Sequence, residues 1–356
     1  MALGLAVAAP AAGPAAAGPS IVVDMETGRV ISQEDAFQRW YPASLTKLMT
    51  TYVAFRAVKA GEITLLSPVR ISKKAAKEPP SKMGFKPGSV LTVDSAIKIL
   101  MVKSANDVAT AVAESIGGSV EAFAKRMNAE ARRLGMTESH FVNAHGLHSD
   151  DQYTTARDLA LLAMALRTEF PDYASYFSIE AIGFGKSVIE NHNTLIGRFD
   201  GTDGMKTGYT CPSGFNLVAT AKRNGRHLLA VVIGEPSVDE RAEKAAGLLA
   251  RGFIAPSLIS SKLASLTPPP GAPKPPVNMR ENICTKAARE ERTARRNDEG
   301  EIEVKSRYLF EPSRPPRVVA VSLGGATGPE SPAPRYADVP IPTPRPDYAP
   351  PVEQGG

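Results

Sequence analysis

Cysteine is nearly absent from this chain: Cys211 and Cys284 are the 2 in 356 residues. Two are too few for a structural zinc site of the usual four ligands. A chain of this length buries a sizeable core without a disulfide framework, so an even pair in an exported chain predicts one bridge, Cys211 to Cys284. An excess of one charge is also missing. The 42 basic and 37 acidic residues are interspersed and leave a net charge of +5, without the concentrated basic patch of a nucleic-acid binder. No stretch is long and apolar enough for a transmembrane helix. The 5 histidines give no support for a metal site or a Ser-His-Asp triad. The loop His145-Gly146-Leu147-His148 offers two ligands and no third, and a triad is a spatial arrangement that chain order cannot show.

Residues 1–18 are almost wholly Ala, Leu, Val, Gly and Pro. They read as the remnant of a secretory signal, an apolar stretch leading to Ala15-Ala16-Ala17, with the basic leading segment missing. The alternative is a disordered Ala/Pro tail. Export to the periplasm or cell envelope is the favoured expectation.

Proline, in contrast, is plentiful, and its placement sets the main boundary: 19 of the 30 lie between Pro256 and Pro351. Such segments favour polyproline II and are not expected to form a packed core. The chain thus divides into 1–18, a body at 19–253, and a Pro-rich extension at 254–356. A charged island at 279–311 interrupts the extension, with a helical-looking first half and a strand expected at 301–310. Within the body, 21–24 and 29–32 flank a hairpin turn at Gly28, and 215–221 and 227–233 flank another at Asn224-Gly225. Helices are expected at 44–60, 93–101, 106–115, 120–134, 155–166 and 238–251. Strands at both ends with helices between predict an α+β fold: an antiparallel sheet closed by both ends of the body, with an inserted helical cluster.

Three short motifs follow in order: Ser44-Leu45-Thr46-Lys47, Ser104-Ala105-Asn106 and Lys206-Thr207-Gly208. A serine hydroxyl is a weak nucleophile and needs a base within hydrogen-bond reach. Ser44 and Lys47, at i and i+3 of a helix, share one face. At a helix start the Ser44 N–H is free to meet a developing oxyanion. Lysine acts as a base only if its pKa falls, and Lys206 is the candidate neighbouring cation. Lys47 is expected to be neutral and Lys206 to keep the charge. Ser-x-x-Lys alone is weak, since about one or two arise by chance in such a chain; Ser95-Ala96-Ile97-Lys98 is a second copy, read as structural. The ordered set is much stronger, with Thr207 and Gly208 on a strand edge where backbone can pair with a peptide.

This motif set resembles that of penicillin-binding proteins and serine β-lactamases. The surrounding residues resemble the low-molecular-mass D-alanyl-D-alanine carboxypeptidases: Pro42-Ala43-Ser44-Leu45-Thr46-Lys47, Asn143-Ala144-His145-Gly146-Leu147, Asp203-Gly204-Met205-Lys206-Thr207-Gly208 and Ser213-Gly214-Phe215-Asn216-Leu217. The resemblance covers about 20–253, close to two-thirds of the chain. It implies Ser44 as nucleophile, Lys47 as its base, Ser104 and Asn106 as proton relay and amide holder, and Lys206 and Thr207 as the opposite wall. It further implies the Tyr209 N–H, beside that of Ser44, as second oxyanion donor and Arg241 as an aid to carboxylate recognition. The implied partners are peptidoglycan stems ending in D-Ala-D-Ala, with β-lactams as inhibitors; no metal or organic cofactor is implied.

The chain departs from the family at Ala105, where Gly is common, and at Tyr209, where His is common. It also has a Pro-rich tail in place of an amphipathic membrane-binding helix, so membrane attachment does not carry over. A serine β-lactamase is disfavoured because no Glu-x-x-Leu-Asn string lies between Asn106 and Lys206. A D,D-endopeptidase shares all three motifs and stays open. A non-catalytic peptidoglycan binder would not need the nucleophile and base.

Overall fold

Neighbouring residues of the first strand are buried on opposite faces. Ile21 and Val23 join one apolar cluster and Val22 another, and all three are fully buried. Such strands read as continuous apolar runs because both faces of their sheet are covered. The computed structural model describes residues 18–256, 260–294 and 306–332.

The main sheet comprises β1 (Ser20–Asp24), β2 (Arg29–Glu34), β3 (Thr202–Thr210), β4 (Gly214–Arg223) and β5 (Arg226–Glu235). Their spatial order is β2-β1-β5-β4-β3, antiparallel throughout. Ser20 lies opposite Val232, so the two ends of the body meet in the sheet and the helices between them form an insertion. This is the α+β arrangement expected from the sequence, a sheet closed by both ends of the body with a helical insertion. Both expected hairpins are present. Gly28 turns at φ 67°, and Asn224 and Gly225 at φ 48° and 76°, the consecutive positive values of a type I′ turn.

The helices are α1 (Thr46–Lys59), α2 (Val93–Val102), α3 (Asn106–Gly117), α4 (Val120–Arg133), α5 (Ala156–Glu169) and α6 (Val238–Ile254). Thr92, Ser119, Thr155 and Ser237 each cap a helix start by accepting a backbone N–H, about 1 kcal/mol per cap. α1 runs through the larger cluster with Leu48, Tyr52 and Phe55 fully buried; Phe55→Ala would cost about 3–5 kcal/mol. α6 covers the other face of the sheet through Ala242, Ala245 and Leu249.

The Pro-rich region packs more than its composition predicts. Leu263, Met279, Ile283 and Val321 are buried in the larger cluster, and Val318–Ala320 adds a parallel strand beside Ala181–Phe184. Prolines space the chain, while a few apolar side chains between them reach the body. The charged island is helical at Arg280–Ile283 and Lys286–Ala294. Of the expected strand at 301–310, residues 306–310 are turn and coil, and 301–305 lie outside the described residues. The expected signal remnant, up to residue 17, and the last Pro-rich stretch, from 333, also lie outside them.

Candidate active site

Strand β3 is the edge of the sheet, and its Lys206–Tyr209 stretch runs past the short turn that carries Ser44. A Cβ on Gly208 would stand 3.0 Å from the Pro42 carbonyl oxygen and 3.1 Å from the Ser44 nitrogen. Glycine lets the two backbones close to this distance. Gly146 presses from the other side at φ 88°, where a Cβ would overlap the Ala43 carbonyl oxygen. Asn216 on β4 donates to the carbonyls of Tyr41 and Pro42, both at 3.3 Å. Held in this way, Ala43 takes φ 47°, a conformation uncommon without glycine. The expected helix at 44–60 accordingly begins with a 3-10 turn, Ala43–Leu45, and becomes α-helical at Thr46.

From that turn Lys47 reaches back toward the serine. Its Nζ lies 3.2 Å from Ser44 Oγ and donates to Asn106 Oδ1 at 2.8 Å and to the His145 carbonyl at 2.6 Å. Lys47 is fully buried. Burial, and after it the charge of Lys206, hold its pKa well below the ordinary lysine value, while Asp107 and Glu78 oppose the shift. Desolvation is therefore the larger cause, ahead of the Lys206 repulsion expected from sequence. Lys206 differs from expectation too. It is 1% exposed, donates to the Thr207 carbonyl at 2.9 Å, and is pushed down to about 7 by burial and then by Arg241. It is not a securely charged group at neutral pH.

The cleft has a volume of about 460 Å³ and is lined by Ser44, Ser104, Asn106, Thr207, Gly208, Tyr209 and Arg241 among others. Asn106 starts α3 and is braced by donating to the Pro79 carbonyl at 3.0 Å. Ser104, at φ 60°, keeps a buried hydroxyl without a hydrogen-bond partner among the described residues. Arg241 sits in the first turn of α6, 4% exposed, and donates to the His192 carbonyl at 3.2 Å. Burial lowers its pKa to about 10, which leaves it cationic. Tyr209 is 41% exposed at the cleft lip. Cys211 and Cys284 are joined, with their Cα atoms 5.7 Å apart. Ser95 is elsewhere: it is buried in the first turn of α2, where its N–H meets the Thr92 cap, and Lys98 pairs with Asp94 at 2.7 Å.

Pro80, Ser81, His192 and Thr194 are among the lining residues that had no signal in the sequence. The first two belong to a loop tied down by Asp107, which accepts the N–H groups of Met83 and Gly84 at 3.1 and 2.9 Å. Burial and the cations Lys206, Lys103 and Arg241 lower His192 to about 4, so it is neutral in the cleft. His145 contributes its backbone carbonyl, which is why its side-chain chemistry was uninformative.

Residues 6–237 match the peptidase S11 family, described as D-alanyl-D-alanine carboxypeptidase. The chain belongs to this family. It is 37% identical over 240 residues to the D-alanyl-D-alanine carboxypeptidase DacC of Escherichia coli K12, covering 65% of this chain and 60% of the relative. To DacF of Bacillus subtilis 168 it is 34% identical over 240 residues, covering 66% and 61%. Among solved structures, DacD from Francisella tularensis superposes with a TM-score of 0.65 at 30% identity, covering 71% of this chain and 74% of that one. Penicillin-binding protein D2 from Listeria monocytogenes, solved in its cefotaxime-bound form, gives a TM-score of 0.61 at 28% identity, covering 67% and 97%. The chain spans about 60% of the length of the first curated D-alanyl-D-alanine carboxypeptidases it matches.

Proposed function

We propose that this family member is a serine D,D-carboxypeptidase that removes the terminal D-Ala from peptidoglycan pentapeptide stems. The observation that carries the reading is the 3.2 Å approach of Lys47 Nζ to Ser44 Oγ, by a lysine whose pKa is held down. In this reading neutral Lys47 takes the Ser44 proton as the oxygen attacks the carbonyl between the two D-Ala residues. The oxyanion is met by the N–H groups of Ser44 and Tyr209. The Lys47/Ser104 pair returns a proton to the leaving D-alanine nitrogen, and Asn106 holds the substrate amide. Water then attacks the Ser44 ester and frees the shortened stem. Lys206, Thr207 and Arg241 form the end that meets the terminal carboxylate, and the two buried basic side chains there, Lys206 and Arg241, suit such an anion. The substrate places the enzyme in the cell envelope; no helix among the described residues is long and apolar enough to cross a membrane.

Mass analysis of products from a pentapeptide muropeptide and from a cross-linked dimer tests this. Loss of one alanine from the pentapeptide, with the dimer left intact, is the expected result. Cleavage of the dimer alone would assign the scaffold to endopeptidase chemistry instead.

A further inference from the structure

A peptide whose carboxylate lies at Thr207 and Arg241, and whose scissile carbonyl faces the Tyr209 N–H, has only one direction left to run. Antiparallel to edge strand β3, it carries its preceding residues past Thr210 toward Cys211, advancing about 3.3 Å per residue. What stands there comes from the C-terminal extension. Tyr209 stacks on Phe215 with ring centroids 4.3 Å apart, and its hydroxyl lies 3.3 Å from Cys284 Sγ. The Arg292 guanidinium sits 5.8 Å above the Phe215 ring and donates to the Ile283 carbonyl at 2.6 Å. Tyr209, Thr210 and Phe215 all line the cleft that contains Ser44.

The placement of this segment is well fixed. The Met279 N–H donates to the Pro212 carbonyl at 2.9 Å, Ile283 is fully buried in the core, and Cys284 is bonded to Cys211. A run of 16 residues tethered by a hydrogen bond, an apolar anchor and a covalent bond loses little further freedom when a ligand arrives, which favours binding.

We propose that segment 279–294, bolted by the Cys211–Cys284 bridge, is a distal wall of the substrate cleft. It takes the stem-peptide residues that precede the terminal D-Ala pair, through the face of Tyr209 and Phe215 and the cation of Arg292. This rests on the carboxypeptidase reading, which sets the direction of the bound chain. The wall acts on ground-state binding of long substrates and leaves the reacting atoms alone, so it shows in KM rather than kcat.

The experiment compares D-alanine release from a pentapeptide and from N-acetyl-D-Ala-D-Ala, in the full chain and in Cys284→Ser. The ratio of pentapeptide KM to dipeptide KM should rise about fivefold, the loss of roughly 1 kcal/mol of binding, with kcat retained on both. Arg292→Ala, which keeps the bridge, should move the ratio the same way by a smaller factor. An unchanged ratio in both variants, or equal losses on the two substrates, overturns the wall. No D-alanine release from either substrate by the unaltered protein would instead overturn the carboxypeptidase reading itself.

Discussion

Lys47 Nζ approaches Ser44 Oγ at 3.2 Å while two stronger contacts, to Asn106 Oδ1 at 2.8 Å and the His145 carbonyl at 2.6 Å, fix the direction of the amine. Both of those partners are acceptors, so they occupy its hydrogens and leave a lone pair of the neutral amine for the serine. Lys47→Arg removes this arrangement, because a guanidinium cannot be deprotonated in a protein. Acylation by penicillin and release of D-alanine should both fall about 10²- to 10⁴-fold, the range of general-base catalysis. Near-normal rates in Lys47→Arg would dismiss Lys47 as the base.

Lys206 should appear in the pH profile. Lys47 must be neutral, so activity rises as pH rises through its depressed pKa. If Lys206 meets the carboxylate as proposed it must be charged, so kcat/KM should fall as pH passes about 7. A bound carboxylate restores the charge on Lys206, and the alkaline limb of kcat should lie at higher pH than that of kcat/KM. Coincident limbs, or an alkaline limb that survives in Lys206→Gln, would remove Lys206 from this role. The stability profile has the matching sign. With its folded pKa lowered, Lys206 holds fewer protons folded than unfolded, so its term improves from about 7 up to the free lysine value near 10.4.

The ordered motifs made much of this legible. Ser44, Asn106 and Thr207 come from separate elements, yet each motif carried its own local signal; the structure gathers them with Arg241 in one cleft and sets Lys47 against Ser44 and Asn106. The sheet was readable for a different reason: its hairpins carry Gly28 and Asn224-Gly225, and residues 21–23 are an apolar run covered on both faces. The strength of burial at Lys206 was not readable, because desolvation depends on residues far along the chain. Nor was the docking of the extension. Leu263 and Ile283 stand among mostly polar residues and show no period, and the apolar run at 318–321 is only four residues long between proline- and glycine-rich stretches, so nothing local marks them as core.

The bridge between Cys211 and Cys284 closes a loop with a sequence separation of 73. In the chain-entropy account such a loop is worth about 4 kcal/mol. Thiol titration of the unreduced, denatured protein should find no free thiol, and Cys211→Ser/Cys284→Ser should lower the unfolding midpoint. Two titratable thiols per chain would contradict the bridge.

Glu180 gathers the strand-forming end of the extension. It pairs with Arg314 at 2.8 Å and with Arg317 at 2.9 Å and accepts the Arg317 N–H at 2.7 Å. The Arg314 hydrogen bond is the main reason its pKa falls to about 2. Since the folded value is the lower one, this contribution is whole above the unfolded glutamate pKa and fades as pH drops toward about 2. Glu180→Gln should loosen the parallel pairing of Val318–Ala320 with Ala181–Phe184 and speed trypsin cleavage after Arg317. An unaltered cleavage rate would show that the strand docks without the carboxylate.

The copies of Ser-x-x-Lys offer a test of the whole assignment. Ser44 stands in the cleft beside a deprotonatable lysine, whereas Ser95 is buried in a helix start and Lys98 forms an ion pair with Asp94. In the proposed reading, a β-lactam would place its strained amide where the scissile bond lies and its carboxylate toward Thr207 and Arg241. Ser44 should open the ring and retain the fragment as an ester, because the tethered leaving group hinders the incoming water. Incubation with penicillin should therefore add one drug mass on the peptide containing Ser44. Ser44→Ala should lose both the adduct and D-alanine release, and Ser95→Ala should keep both. An adduct on Ser95, or one that forms unchanged in Ser44→Ala, would disprove the site. Rapid drug turnover without D-alanine release would point to a β-lactamase on this scaffold, so the adduct and the release must be measured on the same preparation.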